Sequence, residues 1–201
     1  MPVKGLYEFD MDGFRAIHIV AHRGWLDPIF WILSTTGLGW VQAILILLLL
    51  RWRSTKYYVL PLLTTLFVSG FVVADGLKLF ITRDRPSNLA ITILQDESAF
   101  SRSFPSGHTS TSFGIAFMLL LLTWRKKHAW VGYAALLWAS LVGLSRVYRG
   151  LHWPTDVLGG AFVGAFSAGF VYLLLSLLGK LTHLDSPEAS LSGIEAGDIS
   201  E

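Results

Sequence analysis

The polar residues of this chain are gathered between long apolar runs instead of alternating with them at the period of a soluble helix or strand. Apolar runs occupy 28–50, 59–81, 109–123, 129–147 and 154–178. Most approach the roughly 20 residues that cross about 30 Å of hydrocarbon. The pattern therefore predicts an all-α polytopic membrane bundle of five spans, or six if Gly37-Leu38-Gly39 divides the first. The third run is short and gains length from 104–108 before it and Trp124 after it. The last two are rich in Gly and Ala, which let membrane helices approach closely. Ahead of them, residues 5–24 mix Phe9, Phe14, Ile17, Ile19 and Val20 with Asp10, Asp12, Arg15, His18, His22 and Arg23. This predicts an amphipathic helix lying at the interface, and the acids Glu8, Asp10 and Asp12 speak against a signal peptide.

The organisation expected is an amphipathic segment over 1–27, a membrane domain over 28–180 and a disordered acidic tail over 181–201, where Asp185, Glu188, Glu195, Asp198 and Glu201 stand among Ser and Gly. No internal repeat is visible. Composition agrees: 53% of residues are hydrophobic and 15% charged, against about 25% charged in a soluble domain, and the mean hydropathy is +0.54. With no cysteine, disulfides, thiolate metal sites and cysteine nucleophiles are excluded. A net charge of +2 is too small to suggest a nucleic-acid partner, and no oligomeric state is indicated. Arg51, Arg53 and Lys56 follow the first run, and Arg125, Lys126 and Lys127 follow the third, with no acid in either link. The positive-inside rule places both links in the cytoplasm. The loops 82–108 and 148–153 then face outward.

Those two outer loops and their helix ends hold nearly all the unusual polar residues. One cluster is Lys78, six residues, Arg85-Pro86; the second is Phe104-Pro105-Ser106-Gly107-His108; the third is Ser145-Arg146, five residues, His152, three residues, Asp156. In this order the three motifs resemble the type 2 phosphatidic acid phosphatase superfamily, which includes the vanadium haloperoxidases. The resemblance implies a bacterial integral-membrane lipid phosphatase. It also implies His152 as nucleophile, His108 as general acid, and Lys78, Arg85, Ser106, Gly107 and Arg146 as the phosphate-binding set.

The residue chemistry stands beside that resemblance. Phosphoryl transfer needs charge stabilised on three equatorial oxygens, an in-line nucleophile and an acid for the leaving oxygen. Lys78, Arg85 and Arg146 supply three cations, and the two guanidinium forks can hold phosphate oxygens bidentately, so no metal or other cofactor is expected. Pro105 suits the first turn of a helix, leaving the N–H groups of Ser106, Gly107 and His108 for an anion. An imidazole attacks phosphorus only when neutral, and Asp156 can hold His152 in the required tautomer. His108 would donate its proton to the leaving oxygen and then activate water.

Asp75, three residues before Lys78, is expected to pair with it or with a neighbouring helix. Arg83 and Arg149 suit a lipid head group or interfacial anchoring. His18, His22, His128 and His183 read as interfacial or solvated, and the Trp residues as aromatic belts. The expected activity is hydrolysis of a lipid phosphate or pyrophosphate, with undecaprenyl pyrophosphate favoured, at the outer face of a bacterial cytoplasmic membrane. The rivals are a vanadium haloperoxidase, a phosphatase of a soluble sugar phosphate, and a non-enzymatic lipid-binding or channel protein.

Overall fold

The computed structural model describes residues 2–89, 91–93 and 102–181. The tail over 182–201, with His183, and the stretch 94–101 lie outside the described residues. Helices α1 (Pro2–Phe14), α2 (Asp27–Thr36), α3 (Gly39–Leu48), α4 (Val59–Phe67), α5 (Asp75–Phe80), α6 (Gly107–Thr123), α7 (Ala129–Tyr148) and α8 (Pro154–Leu177) build the fold, and no strand occurs among the described residues.

Among the described residues, three helical rods are long and apolar enough to cross a membrane: Lys56–Phe80, Ala129–Tyr148 and Pro154–Leu177. The first joins α4 to α5 through a π-helical stretch, Val68–Ala74. The first apolar run of the sequence is broken. Its halves, Gly24–Thr36 and Gly39–Arg51, meet at 67°, and each is about 20 Å long at 1.5 Å per residue. Gly37 sits at the bend because α6 and α7 press against it: an added Cβ would lie 2.6 Å from Val142 Cγ1 and 3.0 Å from His108 Cδ2.

Helix α6 has 17 residues, shorter than the three rods, and occupies the centre of the bundle, with ten of its residues buried. Small residues let its neighbours in. A Cβ on Gly164 of α8 would lie 2.5 Å from Ser110 O, and one on Gly132 of α7 would lie 2.5 Å from Leu120 Cα, the close backbone approach typical of membrane helices. Around this centre Ile46, Leu62, Ile115, Met118, Val171 and Leu175 form the main apolar core. The outer faces of the rods are apolar too, with Phe71, Trp130, Leu137, Phe162, Phe166 and Leu177 exposed. Such continuous exposed apolar surface is foreign to a soluble monomer and proper to an integral membrane protein.

The N-terminal segment turns a mixed polar and apolar stripe toward the bundle. The stripe that packs inward is Asp10, Phe14 and His18, all buried, while Leu6, Tyr7, Phe9, Ile19 and Val20 point outward. His18 is therefore neither interfacial nor solvated. Its Nδ1 lies 2.6 Å from Tyr148 O, and its Nε2 accepts the N–H of Ile93 at 2.8 Å. One donor and one acceptor suit the two sides of a neutral imidazole, and they tie the loop that holds Ile93 to the end of α7.

Candidate active site

Lys78 stands near the end of α5, where its ammonium reaches Asp75 Oδ1 at 2.9 Å, the expected pairing. The chain then leaves the helix at Ile81 in extended conformation. Two arginines follow two residues apart. Arg85 Nη1 donates to Leu151 O at 3.1 Å and to His152 Nε2 at 3.0 Å. Arg83 turns to Thr155 and Asp156, 2.7 and 2.6 Å away. Arg146 lies in the last turn of α7, and its Nη1 donates to Ser34 Oγ at the end of α2.

The spacing of the third motif has a local reason. After α7, the N–H groups of Leu151 and His152 both fold back onto Arg146 O, at 3.0 and 3.3 Å. The reversal passes through Gly150 at φ +73°, a left-handed conformation that glycine adopts without steric cost. His152 thereby sits one tight turn beyond Arg146, just before α8.

Lys78, Arg85, Gly107, His108, Arg146 and His152 line one cavity of about 640 Å³, whose remaining walls include Leu63, Leu66, Phe67, Phe71 and Asp75. Six of the eight residues singled out from sequence thus share one chamber, polar at one end and apolar at the other. Asp156 stands behind His152, its Oδ2 3.4 Å from Nδ1. The same oxygen accepts the N–H of Trp153 at 2.9 Å and the hydroxyl of Ser103. Because a guanidinium has no lone pair, Arg85 can approach Nε2 only if that nitrogen carries one. The proton then resides on Nδ1, facing Asp156. Burial, reinforced by Arg85 and Arg146 and opposed by the bond to Asp156, holds the His152 pKa down to about 3. The ring is neutral at neutral pH.

Ser106 departs from expectation. The helix begins at Gly107 with Ser106 as N-cap, so Pro105 precedes the helix instead of occupying its first turn. The Ser106 N–H goes to Asp156 O at 3.1 Å, its Oγ accepts from Thr109 Oγ1 at 3.0 Å, and the residue is buried outside the cavity lining. The N–H groups of Gly107 and His108 open the helix, where no intrahelical acceptor exists. A Cβ on Gly107 would lie 3.4 Å from Lys78 Nζ, so glycine leaves room beside the cation. His108 also borders a smaller pocket of about 140 Å³ with Ser34, Thr35, Leu38, Arg146 and Arg149.

Arg149 is buried, so it is no interfacial anchor. Arg83 is likewise committed inward, joining Asp10 to Asp156. Asp10, Ser34, Ser103 and Thr155 were not singled out from sequence. Arg83-Asp84-Arg85 carried the one available hint, since two arginines two apart in an extended segment project to the same side, and both reach the stretch 151–156.

A family model described as the PAP2 superfamily matches residues 58–180. Lipid A 4'-phosphatase of Bacteroides thetaiotaomicron is 30% identical over 143 residues, covering 68% of this chain and 62% of that protein. Undecaprenyl-diphosphatase of Sulfolobus acidocaldarius is 32% identical over 142 residues, covering 70% and 66% respectively. Among solved structures, the transmembrane PAP2-type phosphatidylglycerolphosphate phosphatase of Bacillus subtilis superposes with a TM-score of 0.69 at 29% identity, covering 85% of this chain and 86% of that one. The matched segment begins in the turn before α4 and ends just past α8, so it holds every element that contributes a motif residue to the cavity; the chain belongs to the PAP2 superfamily.

Proposed function

We propose that this protein is a membrane phosphatase that hydrolyses a lipid phosphate or diphosphate without a metal, through a phosphohistidine. The observation that carries the reading is the state of His152: neutral, with the Nε2 lone pair on the cavity side and Nδ1–H toward Asp156. Phosphate oxygens entering among Lys78, Arg85, Arg146 and the first N–H groups of α6 would draw Arg85 off Nε2. That nitrogen then bonds to phosphorus as the bond to the leaving oxygen breaks. His108 protonates the leaving oxygen, then removes a proton from the water that cleaves the P–N bond, returning both histidines to their starting states. Ser106, at the N-cap position with its N–H on Asp156 O, ties the α6 N-terminus to the start of α8.

The apolar half of the cavity, with Phe67 and Phe71 partly turned outward, suits a substrate whose chains stay in the bilayer while its head group enters. Undecaprenyl diphosphate is the substrate we favour, in keeping with the relative named for it; a lipid A phosphate is the nearest rival on the same grounds. In this reading the domain over 28–180 passes the membrane five times, as the bent pair α2–α3, the rod α4–α5, α6, α7 and α8, with residues 1–27 at the interface and 181–201 as a tail. The site opens on the extracytoplasmic side of a bacterial cytoplasmic membrane.

Phosphate release by the purified protein in detergent tests the substrate. Undecaprenyl diphosphate should be turned over faster than lipid A, phosphatidylglycerol phosphate, phosphatidic acid or glucose 6-phosphate. Activity should persist in excess EDTA and be lost with orthovanadate, which adopts the trigonal bipyramid of the transition state. An EDTA-sensitive enzyme restored by magnesium would overturn the metal-free mechanism, and faster release from glucose 6-phosphate would overturn the lipid assignment.

Orientation has its own test, since there is no native cysteine to remove. Asn88→Cys in the loop after α5 should react in intact cells with a membrane-impermeant maleimide, and Ser54→Cys between α3 and α4 only after lysis; both positions are exposed. The reverse pattern would put the cavity on the cytoplasmic side.

A further inference from the structure

The contacts behind Asp156 lead to α1, outside the segment that matches the family. Asp10 is only 1% exposed. Its Oδ1 accepts the Thr155 N–H at 2.9 Å, and its Oδ2 accepts the Thr155 hydroxyl at 2.7 Å and Nη2 of Arg83. Thr155 lies in the first turn of α8, so its N–H has no partner within that helix, and the Asp10 carboxylate faces the positive helix end. Gly13 makes the approach possible, since a Cβ there would lie 2.9 Å from Pro154 Cγ. Arg83 completes the chain through Nη1, which donates to Asp156 Oδ1 at 2.6 Å. One guanidinium thus joins two buried carboxylates, and the second of them orients His152.

A buried ion network is a weak source of stability, because well-packed apolar residues of the same volume often serve as well. Its location is more informative. Every member lies within two contacts of the carboxylate on which the His152 tautomer depends. We infer that Asp10 and Arg83 are positioning residues of the phosphatase: Arg83 fixes the Asp156 carboxylate with Oδ2 toward His152, and Asp10 draws part of the Arg83 charge away so that Asp156 still accepts the imidazole N–H. This rests on the reading of His152 as nucleophile.

Asp10→Asn keeps the volume and an acceptor for Thr155 but surrenders the charge, leaving Arg83 to act wholly on Asp156. Arg83→Gln removes the cation and leaves two buried carboxylates facing each other. Rates measured with p-nitrophenyl phosphate in detergent should show kcat reduced about 10-fold in Asp10→Asn and about 100-fold in Arg83→Gln, the range seen when partners behind a catalytic ligand are lost, with KM within about twofold of wild type. The double variant, which is neutral at both positions, should recover at least about tenfold over Arg83→Gln alone, since coupled charges are not additive.

Phe14→Leu loosens the packing of α1 without touching the carboxylate, and should leave kcat within about twofold. The inference is overturned if Asp10→Asn has wild-type kcat, if the double variant is no better than Arg83→Gln, or if Phe14→Leu costs as much as Asp10→Asn, which would reduce α1 to a packing role. His152→Ala run alongside separates the two levels. Activity surviving that change would sink the nucleophile assignment itself, whereas a dead His152→Ala beside an unaffected Asp10→Asn would sink only the positioning role.

Discussion

Replacing His152 with alanine is expected to abolish turnover, lowering kcat by about 10⁴ or more, the scale on which loss of a nucleophile is felt. Two features make this the largest effect. The ring is held from both sides, by Arg85 at Nε2 and Asp156 at Nδ1, so no other side chain can take its place without rebuilding the turn after α7. It also needs no proton removed before attack, since burial keeps it neutral far below its ordinary pKa of 6.5.

The acid limb of kcat/KM in the wild type should therefore reflect a group other than His152 anywhere above about pH 4. Stability carries the matching sign. The folded chain resists protonation of this ring while the unfolded chain accepts it, so the His152 contribution is fully present above pH 6.5 and is lost as the pH falls toward about 3. Rapid mixing followed by an alkaline quench should trap phosphorus on His152, because the P–N bond is labile to acid. Single-turnover reactions that release phosphate with no trapped histidine at any time would exclude the covalent route.

Replacing His108 with alanine should lower kcat by 10² to 10⁴, the usual contribution of a positioned general acid, while leaving the affinity for orthovanadate within a few fold. The position supports this division of labour. His108 opens α6 beside Gly107 and borders the same cavity as His152, yet the cations proposed to hold phosphate come from α5, the following loop and α7. The deficit should be smallest with p-nitrophenyl phosphate, whose nitrophenolate departs without help, and largest with a lipid alcohol or lipid phosphate as leaving group. Equal losses on both substrates would assign His108 to some role other than protonating the leaving oxygen.

Much of the site was legible in the sequence, and the reason is locality. Arg146 and His152 are joined by a turn that closes on Arg146 O, so their six-residue offset is a property of that turn. Gly107 and His108 open a helix whose first backbone bond runs from Ser110 N–H to Ser106 O, although the expectation, with Pro105 in the first turn, erred by two residues on where the helix begins and on which N–H groups it frees. Three of the apolar runs became rods of membrane-crossing length because length and hydropathy dictate as much in any context.

Other features needed the packed bundle. The bend at Gly37 arises where α7 and His108 crowd the chain, and the Gly-Leu-Gly sequence alone is compatible with a straight span. His18, Arg83 and Arg149 looked suited to an interface because charge and aromaticity are normally found there. The partners of His18 and Arg83 include Tyr148, Asp10 and Asp156, which lie 73 to 130 residues away in the chain. Sequence by itself determined the class of fold, the apolar rods and the chemical identity of the three motifs, because each follows from composition or from neighbours within about one turn. Only the tertiary structure decided that Asp10 reaches Thr155 across 145 residues and that Arg83 shares its charge between two carboxylates. Such contacts depend on how helices cross, which no local pattern encodes.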